Sequence, residues 1–148
     1  MKIDDRVEQL VRDALHPAVK NDPAAFEVAL RAFPDEQARR AAVELLVAVC
    51  GFALVDLFDG RPSDSQVQSL ATEIAEMESW ATVTSAETAG FLAAVVAGRP
   101  LPGTLPASSV VVLAFVVTAH LLSAKPKTDG EWWFNYLDKV EAAIEAAR

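Results

Sequence analysis

The stretch "VVVLAFVVTAHLL" (Val110 to Leu122) decides the fold class. Wound as a helix at about 100° per residue, it places apolar side chains on every side, which is the pattern of a helix surrounded by other helices. Its β-branched residues would also suit a strand, but the apolar run is too long for a typical strand. We therefore predict a central, buried helix over about 108–123.

A second apolar stretch, "VELLVAVCGFALVDLF" (Val43 to Phe58), predicts another central helix. Asp35 is a suitable N-cap for this helix. Gly60 suits a left-handed C-cap, and Pro62 prevents the helix from continuing. The predicted bounds are about 36–58.

Neither apolar stretch is predicted to span a membrane. Both are shorter than the roughly 20 apolar residues that a bilayer requires. Glu44, Asp56 and His120 also interrupt or bound them, and ionisable groups are costly inside a membrane. We therefore expect two core helices and no membrane partner.

The rest of the chain also contains residues that commonly begin and end helices. Asp22 followed by Pro23 is typical of a helix start, while Ser63 with Gln66, and later Thr128 with Glu131, form the spacing of a capping box. No convincing segment has the period of a strand. The fold class predicted is all-α, with residues 1–148 forming a single-domain helical bundle of about six or seven helices.

Composition limits the partners. The 148 residues carry a net charge of −8, which argues against nucleic acid and anionic membranes and favours a basic protein partner. Because 52% of the residues are hydrophobic, we expect self-association, with a homodimer as the simplest form. The single cysteine, Cys50, and the absence of a secretory signal pattern at the N-terminus predict a cytoplasmic protein.

The candidates for chemistry are few. His120 lies on a predicted core helix, and Asp56 lies near the end of the other central helix, where the helix dipole disfavours a carboxylate. A pair formed by Asp56 and His120 is the one acid–base site that the sequence allows. No nucleophile motif and no spacing typical of a metal site accompany them. We predict no metal and no cofactor, and the sequence favours a non-enzymatic protein.

Three glutamates on the predicted fourth helix resemble the start of a carboxylate cluster. Glu73 and Glu76 flank the apolar stripe of that helix, and Glu78 follows them. A di-metal site would also need inward-facing Glu–x–x–His pairs. We therefore interpret the three carboxylates as a solvated acidic face, which would be able to recognise a basic partner.

The aromatic run "EWWFNYLDKV" (Glu131 to Val140) separates into two faces when it is wound as a helix. Most of its aromatic residues join the apolar stripe, with Trp132 at one edge. Phe134 points to the opposite arc, together with the acidic residues Glu141 and Glu145. Phe134, Trp132, Glu141 and Glu145 are therefore the predicted interaction surface.

Two non-enzymatic functions are compatible with these patterns, and an enzyme that uses Asp56 and His120 is the third, least favoured hypothesis. The first is a non-enzymatic, self-associating acidic helical module for protein interaction, of which an inhibitor or immunity-type protein for a basic partner would be one form. The second is a small-molecule-binding helical domain, with an apolar pocket lined by residues such as Phe52, Phe115 and Trp133. Asp56 or His120 would be the polar group that orients its ligand.

Overall fold

Helices separated by short turns make up nearly all of the structure. The computed structural model describes residues 1–124 and 130–147, and within these ranges it contains seven α-helices, one 3-10 turn and no strand. The elements are α1 (Asp5–Val19), α2 (Pro23–Arg31), α3 (Glu36–Phe58), α4 (Asp64–Met77), α5 (Ser85–Ala97), α6 (Ala107–Ala124) and α7 (Trp133–Ala146), with the 3-10 turn (Ser79–Ala81) between α4 and α5. The predicted all-α bundle is confirmed.

The predicted caps fix several helix starts. The carboxylates of Asp22 and Asp35 each accept a backbone N–H from the first turn of the helix that follows. Ser63 and Gln66 form both halves of a capping box at the start of α4. Because a good cap stabilises a helix by about 1 kcal/mol, these local contacts account for boundaries that the sequence could predict.

Of three further predicted helix termini, one differs from expectation, one agrees with it and one lies outside the described residues. The left-handed residue that ends α3 is Asp59, with φ of 53°, and Gly60 follows with φ of 137°. Helix α1 continues past Pro17 to Val19, because a proline in the last turn removes only one backbone hydrogen bond. The predicted cap at Thr128 lies outside the described residues.

The two predicted central helices occupy the middle of the bundle. Helix α6 packs against α1, α3, α5 and α7, and residues 113–122 are all buried. Helix α3 packs against α1, α5, α6 and α7. A Cβ added at Gly51 would make an ordinary contact 3.9 Å from Val95 on α5. One face of α3 is left uncovered.

Helices α3 and α6 are also long and apolar enough to cross a membrane by length and composition. Within the most apolar window of each helix, 39% of the residues are buried in α3 and 56% in α6. Core helices of water-soluble domains have the same properties. That no membrane is involved remains a prediction.

Candidate functional site

An open groove runs along the uncovered face of α3, beside α7. Its α3 wall includes Phe52 and Val55, whose exposed fractions of 41% and 53% are high for large apolar side chains on a core helix. Its α7 wall includes Val140 and Ala143, and the groove has a volume of about 600 Å³. Two of the exposed large apolar side chains of this protein therefore lie together in a concave site.

Charged groups of both signs border the same groove. Asp56 and Asp59 lie on the α3 side, and Lys139 lies on the α7 side, where its ammonium group pairs with Glu131. The hydroxyl of Tyr136 donates to Oδ2 of Asp56 at 2.8 Å. Burial, followed by this contact with Asp56, raises the pKa of Tyr136, so the phenol remains a neutral donor.

A second cluster surrounds His120, on the buried part of α6. Nδ1 of His120 lies 3.0 Å from Oε2 of Glu78, and Nε2 lies 3.1 Å from Oε2 of Glu73. The indole Nε1 of Trp80 donates to the other oxygen of Glu78 at 2.9 Å. The ring of His120 is thus held between α4 and the turn that follows it.

Burial and hydrogen bonding act in opposite directions on this cluster. Burial alone would lower the pKa of His120, but the hydrogen bonds to Glu78 and Glu73 outweigh it and the pKa is raised. Burial alone would raise the pKa of Glu78, but the hydrogen bonds from His120 and Trp80 leave it lowered. The arrangement favours an imidazolium that donates to both carboxylates.

The acid–base pair of Asp56 and His120 is not formed. Asp56 accepts from Tyr136 beside the groove, and both ring nitrogens of His120 contact glutamates instead. Of the two predicted polar groups for a pocket, Asp56 lines the groove and His120 does not. The prediction that Glu78 belongs to a solvated acidic face was also wrong, because the side chain turns inward to His120.

The predicted apolar pocket does not assemble around its three named residues either. Phe52 lines the groove, whereas Phe115 is fully buried and packs edge-on against Phe26 and Phe33 in the core. Trp133 is buried beside α1. The three aromatic residues therefore belong to different parts of the bundle.

An exposed aromatic pair lies at the start of α7. Trp132 is 65% exposed and Phe134 is 39% exposed, and their rings are parallel to within 3° with centroids 6.5 Å apart. The buried ring of Trp133 meets Phe134 edge to face at 5.7 Å. Trp132 precedes the first helical turn in an extended conformation, which is why it leaves the core stripe that the helical pattern assigned to it.

Glu141, by contrast, is not part of an accessible surface. Only 8% of it is exposed, because α1 covers this side of α7. The Nη2 atom of Arg12 on α1 donates to Oδ1 of Asp138 at 2.8 Å and to Oε1 of Glu141 at 3.2 Å, and it also pairs with Glu8 at 3.0 Å. Glu145 remains exposed, as predicted.

The guanidinium of Arg12 therefore pairs with three carboxyl groups. Burial, and then the nearby charge of Glu8, raises the pKa of Glu141 to about 8, while Arg12 acts in the opposite direction. Oε2 of Glu141 is buried and accepts no hydrogen bond from the described residues. The hydrogen bond between Glu141 and Glu8 also favours the protonated form of Glu141.

Comparisons with protein-family models, with curated protein sequences and with solved structures found no significant match to this chain. Function is therefore inferred from the residues and their geometry. Within residues 1–124 and 130–147, no group of three or more His, Cys, Asp or Glu side chains is placed to hold a metal ion. The groove and the aromatic pair are two accessible features, and smaller depressions of about 280 Å³ and 380 Å³ lie where the start of α3 meets the start of α6.

Proposed function

We propose that this protein is a non-enzymatic interaction module that self-associates, with the groove between α3 and α7 of one copy packed against the same groove of another. The observation that carries this proposal is the exposure of Phe52 and Val55 together on the uncovered face of α3. Covering adjacent apolar side chains at a concave site is favourable in water. A second copy supplies the apolar surface to do so.

The charges beside the groove favour a second copy as the occupant. A two-fold interface joins identical patches, so the patch has to be self-complementary. Asp59 on the α3 wall and Lys139 on the α7 wall provide charges of both signs. The apolar side chains of Phe52 and Val55 lie beside them in the same groove. The carboxylate of Asp59 in one copy can then face the ammonium group of Lys139 in the other.

The placement of the reactive side chains supports a role without catalysis. Both nitrogens of His120 are engaged by glutamates in the interior. Burial raises the pKa of the Cys50 thiol to about 12, so the thiolate that a nucleophile requires is scarce at neutral pH. Asp56, the remaining candidate, faces the groove and accepts from Tyr136.

A small-molecule site is the second candidate, because Asp56 and Tyr136 place a polar pair in a groove of about 600 Å³. That volume lies within the usual range for ligand pockets. The groove is open along its length, however, whereas pockets of this kind usually cover most of the ligand surface. The geometry therefore supports protein association better.

The test is the molar mass in solution. At about 0.1 mM protein, we expect sedimentation equilibrium to give twice the 15.9 kDa mass of one chain. The double variant Phe52→Gln/Val55→Gln removes apolar contact without changing charge and is expected to sediment as a monomer. The matched control is Val28→Gln/Met77→Gln, which changes two apolar side chains outside the groove that are 65% and 61% exposed, and it should remain dimeric.

A monomeric wild-type protein at that concentration would contradict self-association through the groove. Equal loss of mass in the groove variant and its control would contradict the assigned surface. A compound that raises the melting temperature of the wild-type protein but not of the groove variant, without any change of mass, would instead favour the small-molecule site.

A further inference from the structure

Phe134, one member of the exposed aromatic pair, packs against a buried neighbour. Trp133, between Trp132 and Phe134 in sequence, is buried and contacts the ring of Phe134 edge to face, and its indole also lies 6.3 Å from the ring of His16 on α1. Aromatic side chains have few rotatable bonds, so contacts of this kind restrict them at small entropic cost. The ring of Phe134 is therefore restricted by its buried neighbour, and the exposed ring of Trp132 lies parallel to it.

Among the described residues, one exposed carboxylate lies beside the pair. Asp138 lies one helical turn after Phe134 and is exposed, whereas Glu131, directly before Trp132, is mostly buried and pairs with Lys139. The one cation in contact with Asp138 among the described residues, Arg12, also serves Glu8 and Glu141. The chain as a whole has a net charge of −8. A cationic group approaching the two rings is therefore attracted by the overall charge of the chain and by the ring faces.

We propose that Trp132 and Phe134 form a docking site for an arginine side chain of a basic partner protein. The planar guanidinium stacks on the exposed indole face, which combines π-stacking with the attraction of a cation for the ring. A lysine ammonium group has the charge but not the plane, and it retains its water more strongly. The geometry of parallel rings therefore selects arginine over lysine.

This inference rests on the proposed function as an interaction module but assigns it a second partner and a second surface. Neither Trp132 nor Phe134 lines the groove between α3 and α7. A second copy of the chain carries the same net charge of −8, so its approach to the aromatic pair is opposed by like charge. A protein with exposed arginine residues fits the pair better.

The experiment measures the preference for arginine directly. Fluorescently labelled hexa-arginine and hexa-lysine peptides, which have equal charge, are titrated with the wild-type protein at low ionic strength and the anisotropy is recorded. We expect hexa-arginine to bind at least about threefold more tightly than hexa-lysine. In Trp132→Ala, the affinity for hexa-arginine should fall about fivefold, while the affinity for hexa-lysine changes little.

Two further variants control the result. Trp132→Phe keeps an aromatic face and should keep most of the arginine preference. Val28→Ala shortens a side chain on α2 that is 65% exposed, the same fraction as Trp132, and should bind both peptides as the wild type does. Because Trp132 is mostly exposed, its alanine variant should unfold within a few degrees of the wild-type melting temperature.

Several outcomes would overturn the inference. They are the absence of hexa-arginine binding, equal affinity for the two peptides in the wild type, and an unchanged preference in Trp132→Ala. The groove variant Phe52→Gln/Val55→Gln separates the two proposals. If it loses dimerisation but keeps the arginine preference, both proposals hold; if the wild type is a monomer with that preference, only self-association fails.

Discussion

Nδ1 of His120 lies 3.0 Å from Oε2 of Glu78, although the two residues are 42 positions apart in the chain. Both side chains are buried, so the contact joins the centre of the bundle to the turn after α4. Removing one partner from a buried charged pair leaves the other uncompensated. The contact therefore makes the stability of the fold dependent on pH.

The direction of that dependence follows from the two pKa shifts. The pKa of His120 is raised in the folded protein, so its contribution is complete below the unfolded value of about 6.5 and is lost as the pH rises through the folded-state value. The pKa of Glu78 is lowered, so its contribution is lost as the pH falls through the folded-state value. We expect Glu78→Gln to cost about 2 kcal/mol in the free energy of unfolding at pH 6.

Urea denaturation at pH 6 and pH 9 checks this prediction, and the difference between wild type and Glu78→Gln should be smaller at pH 9. Glu76→Gln changes an exposed glutamate on the same helix and should cost less than about 0.5 kcal/mol. Equal stabilities of the two variants at pH 6 would rule out a structural role for the buried pair.

Glu141 should destabilise the fold in alkaline solution. Its pKa is raised from 4.5 to about 8, so between these values the folded state retains a proton that the unfolded state has lost, and stability falls as the pH rises. Glu141→Gln keeps the shape and provides an amide that can donate to Glu8. We expect it to stabilise the protein by at least about 1 kcal/mol at pH 9 and to change little at pH 4.

Chemical denaturation at the two pH values measures this effect, with Glu145→Gln on the exposed side of α7 as the control. A loss of stability in Glu141→Gln at pH 9 would show that its ion pair with Arg12 outweighs the burial of its charge.

Two glycine substitutions should have opposite signs. Gly51 lies inside α3, where an added Cβ would make an ordinary contact 3.9 Å from Val95, and Gly51→Ala should stabilise the protein by about 0.5–1 kcal/mol. Gly98 ends α5 with φ of 65°, a conformation that costs alanine about 1 kcal/mol or more. Thermal unfolding of both variants gives the comparison, and a lower melting temperature for Gly51→Ala would mean that α3 and α5 are too tightly packed for a methyl group.

Cys50 should be chemically inert in the folded protein. The side chain is fully buried and its pKa is raised to about 12. Ellman's reagent at pH 8 is expected to react with it only as fast as the fold opens, and at the rate of a free thiol in urea. Rapid reaction of the folded protein would show that α3 opens locally far more often than global unfolding occurs.

Local signals explain which parts of the fold could be predicted. The caps at Asp22, Asp35 and Ser63 bond to backbone groups within three residues, so the sequence alone places those helix starts. The apolar pattern of α6 likewise requires neighbours on all sides. Phe134 was separated from the core aromatic residues by the same helical periodicity, and it is partly exposed.

The errors concern charged residues whose environment is set by distant parts of the chain. Glu141 appeared solvent-facing because its neighbours on α7 are polar, but α1 covers it, and its partner Arg12 lies 129 positions away. The partners of His120 were missed although a buried histidine requires hydrogen bonds. The glutamates near the end of α4 were the possible partners that the sequence offered. Nothing in the neighbouring residues indicated that the side chain of Glu78 turns inward.

The sequence by itself determined the all-α class, the two central helices and most helix ends, because periodicity and capping are properties of neighbouring residues. Only the tertiary structure decided which carboxyl groups are buried, that His120 bonds to Glu78 rather than Asp56, and that Phe52 and Val55 share an open groove. These outcomes depend on how helices far apart in the chain pack, and packing determines where a charge finds its partner and where an apolar side chain is left without one.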